Sequence, residues 1–159
     1  MFLKAATPTI RDTVKVLDAT GVEITRFVAV WKRPDSKTRK DLLKERLNSL
    51  SHIRVAQTGL ASDTPDIAGF EITLSNIEAE SKTRIREHLH SVDGLLDAND
   101  KLVEWSPAAL DALLQWVEYA NPLAESLARL AEGKVVEEAQ AKNAEAPVLS
   151  GQAPEPVAA

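Results

Sequence analysis

Apolar and polar residues alternate from Ile10 to Leu17. Ile10, Val14 and Val16 share one face and Arg11, Thr13 and Lys15 the other, so the spacing predicts a strand. Asp12 interrupts the inward set, which marks an edge or the strand's first turn. Asp18-Ala19-Thr20-Gly21 reads as a turn, with Gly21 able to take a positive φ. Val22 to Trp31 follows as a second strand, completing a hairpin. Its pattern changes phase near Arg26: Val22 and Ile24 lead, then Phe27, Ala29 and Trp31 alternate with Val28 and Val30. Either both faces are covered there or the strand carries a bulge.

Pro34 stops this strand, and Asp35 or Ser36 caps a helix running to about Leu50. Leu42, Leu43, Leu47 and Leu50 form its apolar stripe. Residues 58–69 hold Gly59, Asp63, Pro65, Asp66 and Gly69 and read as a loop. Ile72 to Leu89 reads as a weakly amphipathic helix anchored by Ile77, Ile85 and Leu89. Residues 93–105 are rich in turn formers. Leu95-Leu96 and Leu102-Val103 flank Asp97-Ala98-Asn99-Asp100, which resembles a short second hairpin. Ser106-Pro107 starts a helix with a serine cap and proline in its first turn. There Leu110, Leu113, Leu114 and Val117 keep i, i+3, i+4, i+7 spacing. Asn121-Pro122 repeats the start signal for a last helix carrying Leu123, Leu127 and Leu130, and Gly133 ends it.

Together these elements predict an α+β fold, with an N-terminal β-hairpin packed with a C-terminal helical part. Residues 1–134 read as a single domain, β-rich over 8–33 and helical over 36–132. Residues 135–159 are rich in Ala, Glu, Gln and Pro with few large apolar residues, and read as a disordered tail. A length of 159 residues suits one domain of this kind.

Composition changes the picture chiefly by exclusion. With no cysteine there is no disulfide, thiolate metal site or Cys nucleophile. A net charge of −5 gives no global attraction to nucleic acid or anionic membrane. No apolar run approaches the roughly 20 residues of a membrane span. The N-terminus is too short in apolar residues for a secretory signal, so the expected location is the cytoplasm. Ser, His and Asp residues are scattered without a nucleophile elbow or phosphate loop, so no catalysis and no cofactor are expected. His88 and His90 are the one His pair. On a helix, residues two apart point about 200° apart and cannot share an ion, whereas on a strand they could share a face with Asp93 nearby; the favoured reading is two exposed histidines near a helix end.

Two surfaces are candidates for binding. Lys32, Arg33, Lys37, Arg39, Lys40, Lys44 and Arg46 are seven basic residues against Asp35, Asp41 and Glu45, a local charge of +4. The patch at Lys37, Arg39, Lys40 and Lys44 fits nucleic acid or an acidic partner, but a solvated helix face is the favoured reading. No interleaved aromatics support the former, so nucleic acid is not the expected partner. The second surface is aromatic. Trp105, Trp116 and Tyr119 lie near the C-terminal helices, and Trp116 and Tyr119 fall off the Leu110–Leu114 stripe. Large aromatics outside a core stripe suit a binding surface, extended here to Leu123 and Leu127. The competing reading is that the last helix or the hairpin folds back over them.

The element order and one segment resemble a known family. The hairpin opens with Pro8-Thr9-Ile10 and closes on Val30-Trp31-Lys32-Arg33. A charged helix follows, then Val92-Asp93-Gly94-Leu95-Leu96-Asp97, a turn, and Leu102-Val103-Glu104-Trp105-Ser106-Pro107 leading into Ala108-Ala109-Leu110-Asp111-Ala112-Leu113-Leu114. This resembles the tail assembly chaperones of long-tailed bacteriophages. Val92 stands where that family often has Trp, Asn99-Asp100 replaces a Gly-containing turn, and Trp105 replaces a commoner Phe.

The resemblance implies a non-catalytic protein of the host cytoplasm, absent from the mature virion, that binds the tape measure protein and keeps it soluble. It also implies recruitment of the tail tube protein through a longer form made by ribosomal frameshifting. Glu132-Gly133-Lys134 is the place where a slippery codon run fits, and a glycine helix stop explains the same residues. A structural tail-completion or neck protein is the alternative, and a small basic-patch nucleic-acid-binding regulator the second. Self-association is left open.

Overall fold

The computed structural model describes residues 7–135 and has the expected α+β architecture. β1 (Thr9–Leu17) and β2 (Glu23–Lys32) form the antiparallel hairpin, closed by the turn at Asp18. The Asp18 carboxylate accepts the backbone N–H groups of Thr20 and Val22 and the Thr20 hydroxyl, and Gly21 takes φ 84°. α1 (Ser36–Leu60) and α2 (Ile67–His88) follow, then β3 (Leu89–Asp93), α3 (Pro107–Leu114) and α4 (Val117–Glu132). Of the predicted tail over 135–159, Val135 is described and packs against the core, and the remainder lies outside the described residues.

The sheet has three strands in the order β1-β2-β3, so β2 is central. β3 was not expected, because Leu89 and Val92 are buried at a helix-like spacing of three. A register shift between Val30 and Trp31, opposite His90, brings both side chains inward. The unbroken buried run Ala29, Val30, Trp31 arises because both faces of β2 are covered there. Ala29 and Trp31 enter the main core, while Val30 is buried apart from it, so here a bulge and a second covered face coexist.

α1 is ten residues longer than the sequence pattern indicated. Its inward stripe is Leu42, Ser49, Ile53, Ala56 and Leu60, which holds the helix against α2 and α4; Leu47 and Leu50 are exposed. The expected loop over 58–69 shrinks accordingly to residues 61–66. Asp66 starts α2 by accepting the Gly69 N–H at 2.9 Å, and a Cβ at Gly69 would stand 2.2 Å from that carboxylate. The expected second hairpin is reduced to a single bridge between Leu96 and Leu102.

α4 holds the molecule together. It lies against β1 and β2 on one side and against α1, α2 and α3 on others. Leu123, Leu127, Leu130 and Ala131 enter one core with Val14, Val16, Phe27, Trp31, Leu42, Ile85, Leu110, Leu113 and Leu114. The helix begins at Val117, four residues before the expected Asn121-Pro122 start, and Pro122 sits inside its second turn. Pro122 forgoes the one intrahelical bond its N–H would make to Glu118 O, and the helix continues through it. Val117 was expected in the α3 core stripe. Instead the chain breaks at Gln115-Trp116, and Val117 is turned outward at the head of α4.

Candidate functional site

Two basic residues of α1 have structural work at the end of α4. That helix ends on Gly133, φ 72°, whose N–H bonds Leu130 O while the Lys134 N–H bonds Arg129 O. This glycine stop leaves other terminal carbonyls to satisfy. Arg39 Nε donates to Ala131 O at 2.7 Å, and Arg46 pairs with the Glu132 carboxylate. Both place positive charge at the negative end of the α4 dipole. Lys32 Nζ does likewise for α2, donating to Glu87 O at 2.9 Å. Of the four patch residues, Lys37, Lys40 and Lys44 point to solvent, and Arg39 is spent on α4.

The aromatic candidates separate. Tyr119 is half-buried and stacks on Phe27 of the hairpin, ring centroids 6.3 Å apart and planes 15° apart. Trp105 is half-buried against the core. Leu123 is fully buried and Leu127 only 6% exposed, so both serve the monomer's core and do not form an open surface. Trp116 remains, 63% exposed at the head of α4, beside Val117 at 60%. Folding-back therefore covers Tyr119 and leaves Trp116 open.

A groove not indicated by the sequence lies between α1, α2 and α4. It has a volume of about 460 Å³. Ala124, Ala128 and Ala131 of α4, with Ser49 and Ser81, make a floor of small side chains; Leu50 and Ile53 form an apolar wall. Arg46, Arg84, Asn121 and Glu125 supply its polar groups. Val117, Asn121, Ala124, Ala128 and Ala131 follow one face of α4 at spacings of four, three, four and three. The groove stripe therefore runs on, one turn beyond Asn121, to Val117 and the neighbouring Trp116. From Val117 to Ala131 this is about 21 Å of helix.

One polar atom inside it has no partner. The Ser49 hydroxyl is buried without a hydrogen bond among the described residues, and Ser49 itself is only 9% exposed. A sequence signal for the groove did exist: Ser49 falls where the inward stripe of α1 calls for an apolar residue. It became readable only once α1 was seen to continue past Leu50.

His88 ends α2 and is half-buried, while His90 is exposed on β3. Among the described residues no helix is long and apolar enough to cross a membrane. The chain matches no protein family model, no curated protein and no solved structure.

Proposed function

We propose that this protein is a non-catalytic assembly chaperone of the phage-tail kind, which holds an apolar segment of the tape measure protein in the groove between α1, α2 and α4. The observation that carries the reading is the groove itself: an open apolar trough on an acidic body, continued by exposed Val117 and Trp116. Its floor of alanine and serine admits close approach of a partner's bulky side chains. Reversible cover of an apolar seam needs a surface of this type, without buried ion pairs that would fix a permanent complex. The sequence resemblance over residues 92–114 supplies the class of partner.

On this reading the protein acts in the host cytoplasm and is left out of the mature particle. A frameshifted longer form, departing near Glu132-Gly133-Lys134, recruits the tail tube protein. In the structure these residues leave the last helix beside the groove, so an added domain would emerge next to the held segment.

Capture of the tape measure protein from co-expressing cells tests the reading. Trp116→Ala and Ala128→Trp, in variants that keep the native circular dichroism spectrum, should each weaken capture at least tenfold, with Lys40→Ala as a neutral control. Wild-type capture by both groove variants would reject the groove as the site. Presence of the protein in purified particles would favour a structural tail component.

A further inference from the structure

Lys40, Leu43, Leu47, Leu50 and Arg54 of α1 follow one another at spacings of three, four, three and four. That is the a and d rhythm of a coiled-coil seam. The seam lies on the side of α1 turned away from its inward stripe of Leu42, Ser49 and Ala56. Leu43 is half-buried, while Leu47 is 66% exposed and Leu50 52% exposed. Neither Leu47 nor Leu50 belongs to the core, and Leu50 stands at the rim of the groove.

The charges around these leucines are of one sign. Lys40 and Arg54 close the two ends of the seam, Lys44 borders one side, and Arg39 and Arg46 border the other. Arg39 and Arg46 are engaged with the end of α4, whereas the side chains of Lys40, Lys44 and Arg54 make no ion pair among the described residues. The two acidic residues of α1, Asp41 and Glu45, lie off the seam, and Glu45 is turned to Arg84 of α2.

We propose that this seam is a second docking surface, separate from the groove floor, whose partner is an amphipathic helix with apolar a and d positions and acidic flanks. Charges beside a leucine seam set partner choice, so a cationic border selects an anionic one. The apolar spacing demands a helix, because only a helix brings its own side chains to the seam every three and four residues. Two α1 seams laid together, parallel or antiparallel, would set these cations against one another, which disfavours a second copy. Nucleic acid would meet the cations but leave the leucines between them without an apolar partner. From Lys40 to Arg54 the seam is about 21 Å long, room for two heptads of a partner helix.

The probe is a synthetic peptide of about three heptads with Leu at a and d and Glu at e and g; its counterpart carries Lys at e and g. With the full chain at low salt, anisotropy of the labelled peptides should show the acidic one bound at least about tenfold more tightly, and about 0.5 M NaCl should shrink that preference. Leu47→Asp, an exposed site that leaves the circular dichroism spectrum native, should abolish binding of the acidic peptide. Lys40→Glu with Lys44→Glu and Arg54→Glu should reverse the preference, which loss of folding cannot mimic.

No binding of the acidic peptide, equal affinity for the two peptides, or acidic binding unchanged by Leu47→Asp would overturn the proposal. Sedimentation showing a dimer that Leu47→Asp dissolves would overturn it too, giving the seam to a second copy. So would a DNA duplex bound more tightly than the acidic peptide through Lys40 and Lys44 without need of Leu47. Because the probe is a designed peptide, the result is separate from whether the tape measure protein fills the groove.

Discussion

Trp31 and Ser126 meet across the core: the indole Nε1–H donates to Ser126 Oγ at 2.8 Å, and both residues are fully buried. The Ser126 hydroxyl in turn donates to Asp12 Oδ2, which also accepts Arg129 Nη2 at 2.7 Å. One polar chain thus joins β1, β2 and α4. It explains an aspartate on the inward side of a strand: β1 is an edge strand, and Asp12 is half-buried under α4 with its charge paired.

Ser126→Ala should therefore cost about 1–3 kcal/mol, because it strands a buried indole N–H. Urea denaturation measures this. Combined with Asp12→Ala, the two losses should be non-additive, since both remove one network. Strict additivity would show that Asp12 acts independently of Ser126.

Leu113 and Val117 look alike in the sequence stripe but differ in place. Leu113→Ala should cost roughly 2–5 kcal/mol, as for a buried leucine. Val117→Ala should change stability by no more than about 0.5 kcal/mol, as for an exposed site. Equal losses at the two positions would contradict the break between α3 and α4.

The end of α4 gives a third expectation. Gly133 holds φ 72°, and a Cβ there would lie 2.6 Å from Arg39 Nη2. Gly133→Ala should cost at least about 1–2 kcal/mol, the left-handed penalty alone. Arg39→Ala should also destabilise, whereas Lys37→Ala and Lys40→Ala should be near neutral. Thermal melts of the four variants separate a structural arginine from a solvated basic face.

Acid sensitivity follows from three carboxylates: Asp18, held below its ordinary 3.8 first by the Thr20 hydroxyl, and the pair Asp35 and Glu132. The Asp35 carboxyl is held below its ordinary 3.8 mainly by the bond from the Thr38 backbone N–H, and Glu132 below its ordinary 4.5 first by the bond from Lys134, then by Arg46. A group with a lowered folded pKa stabilises the fold above its unfolded pKa and loses that contribution as pH falls through the folded value. Stability should thus decline as pH drops from about 4.5 through the ordinary aspartate value and below it. Asp35→Asn with Glu132→Gln should flatten that slope. A slope unchanged in the double variant would assign the acid loss to other groups.

Local signals were legible wherever a residue's own backbone needs set the structure. The hairpin turn at Asp18 and Gly21, the caps at Asp35 and Ser106, proline in the first turn of α3 and the glycine stop at Gly133 all depend on neighbours within a few positions. So does the α+β class, because strand and helix periods differ along the chain itself.

What only the tertiary structure decided is which of several apolar faces is covered. Leu47, Leu50 and Val117 fit a helical stripe as well as Leu42 or Leu113, yet α1 turns Ser49 inward and the chain breaks before Val117. β3 emerged because a bulge at His90 converts helix-like spacing into strand burial. The groove belongs to the same class. It is the space left where three helices separated by tens of residues pack around small side chains, and local periodicity carries no record of that distance.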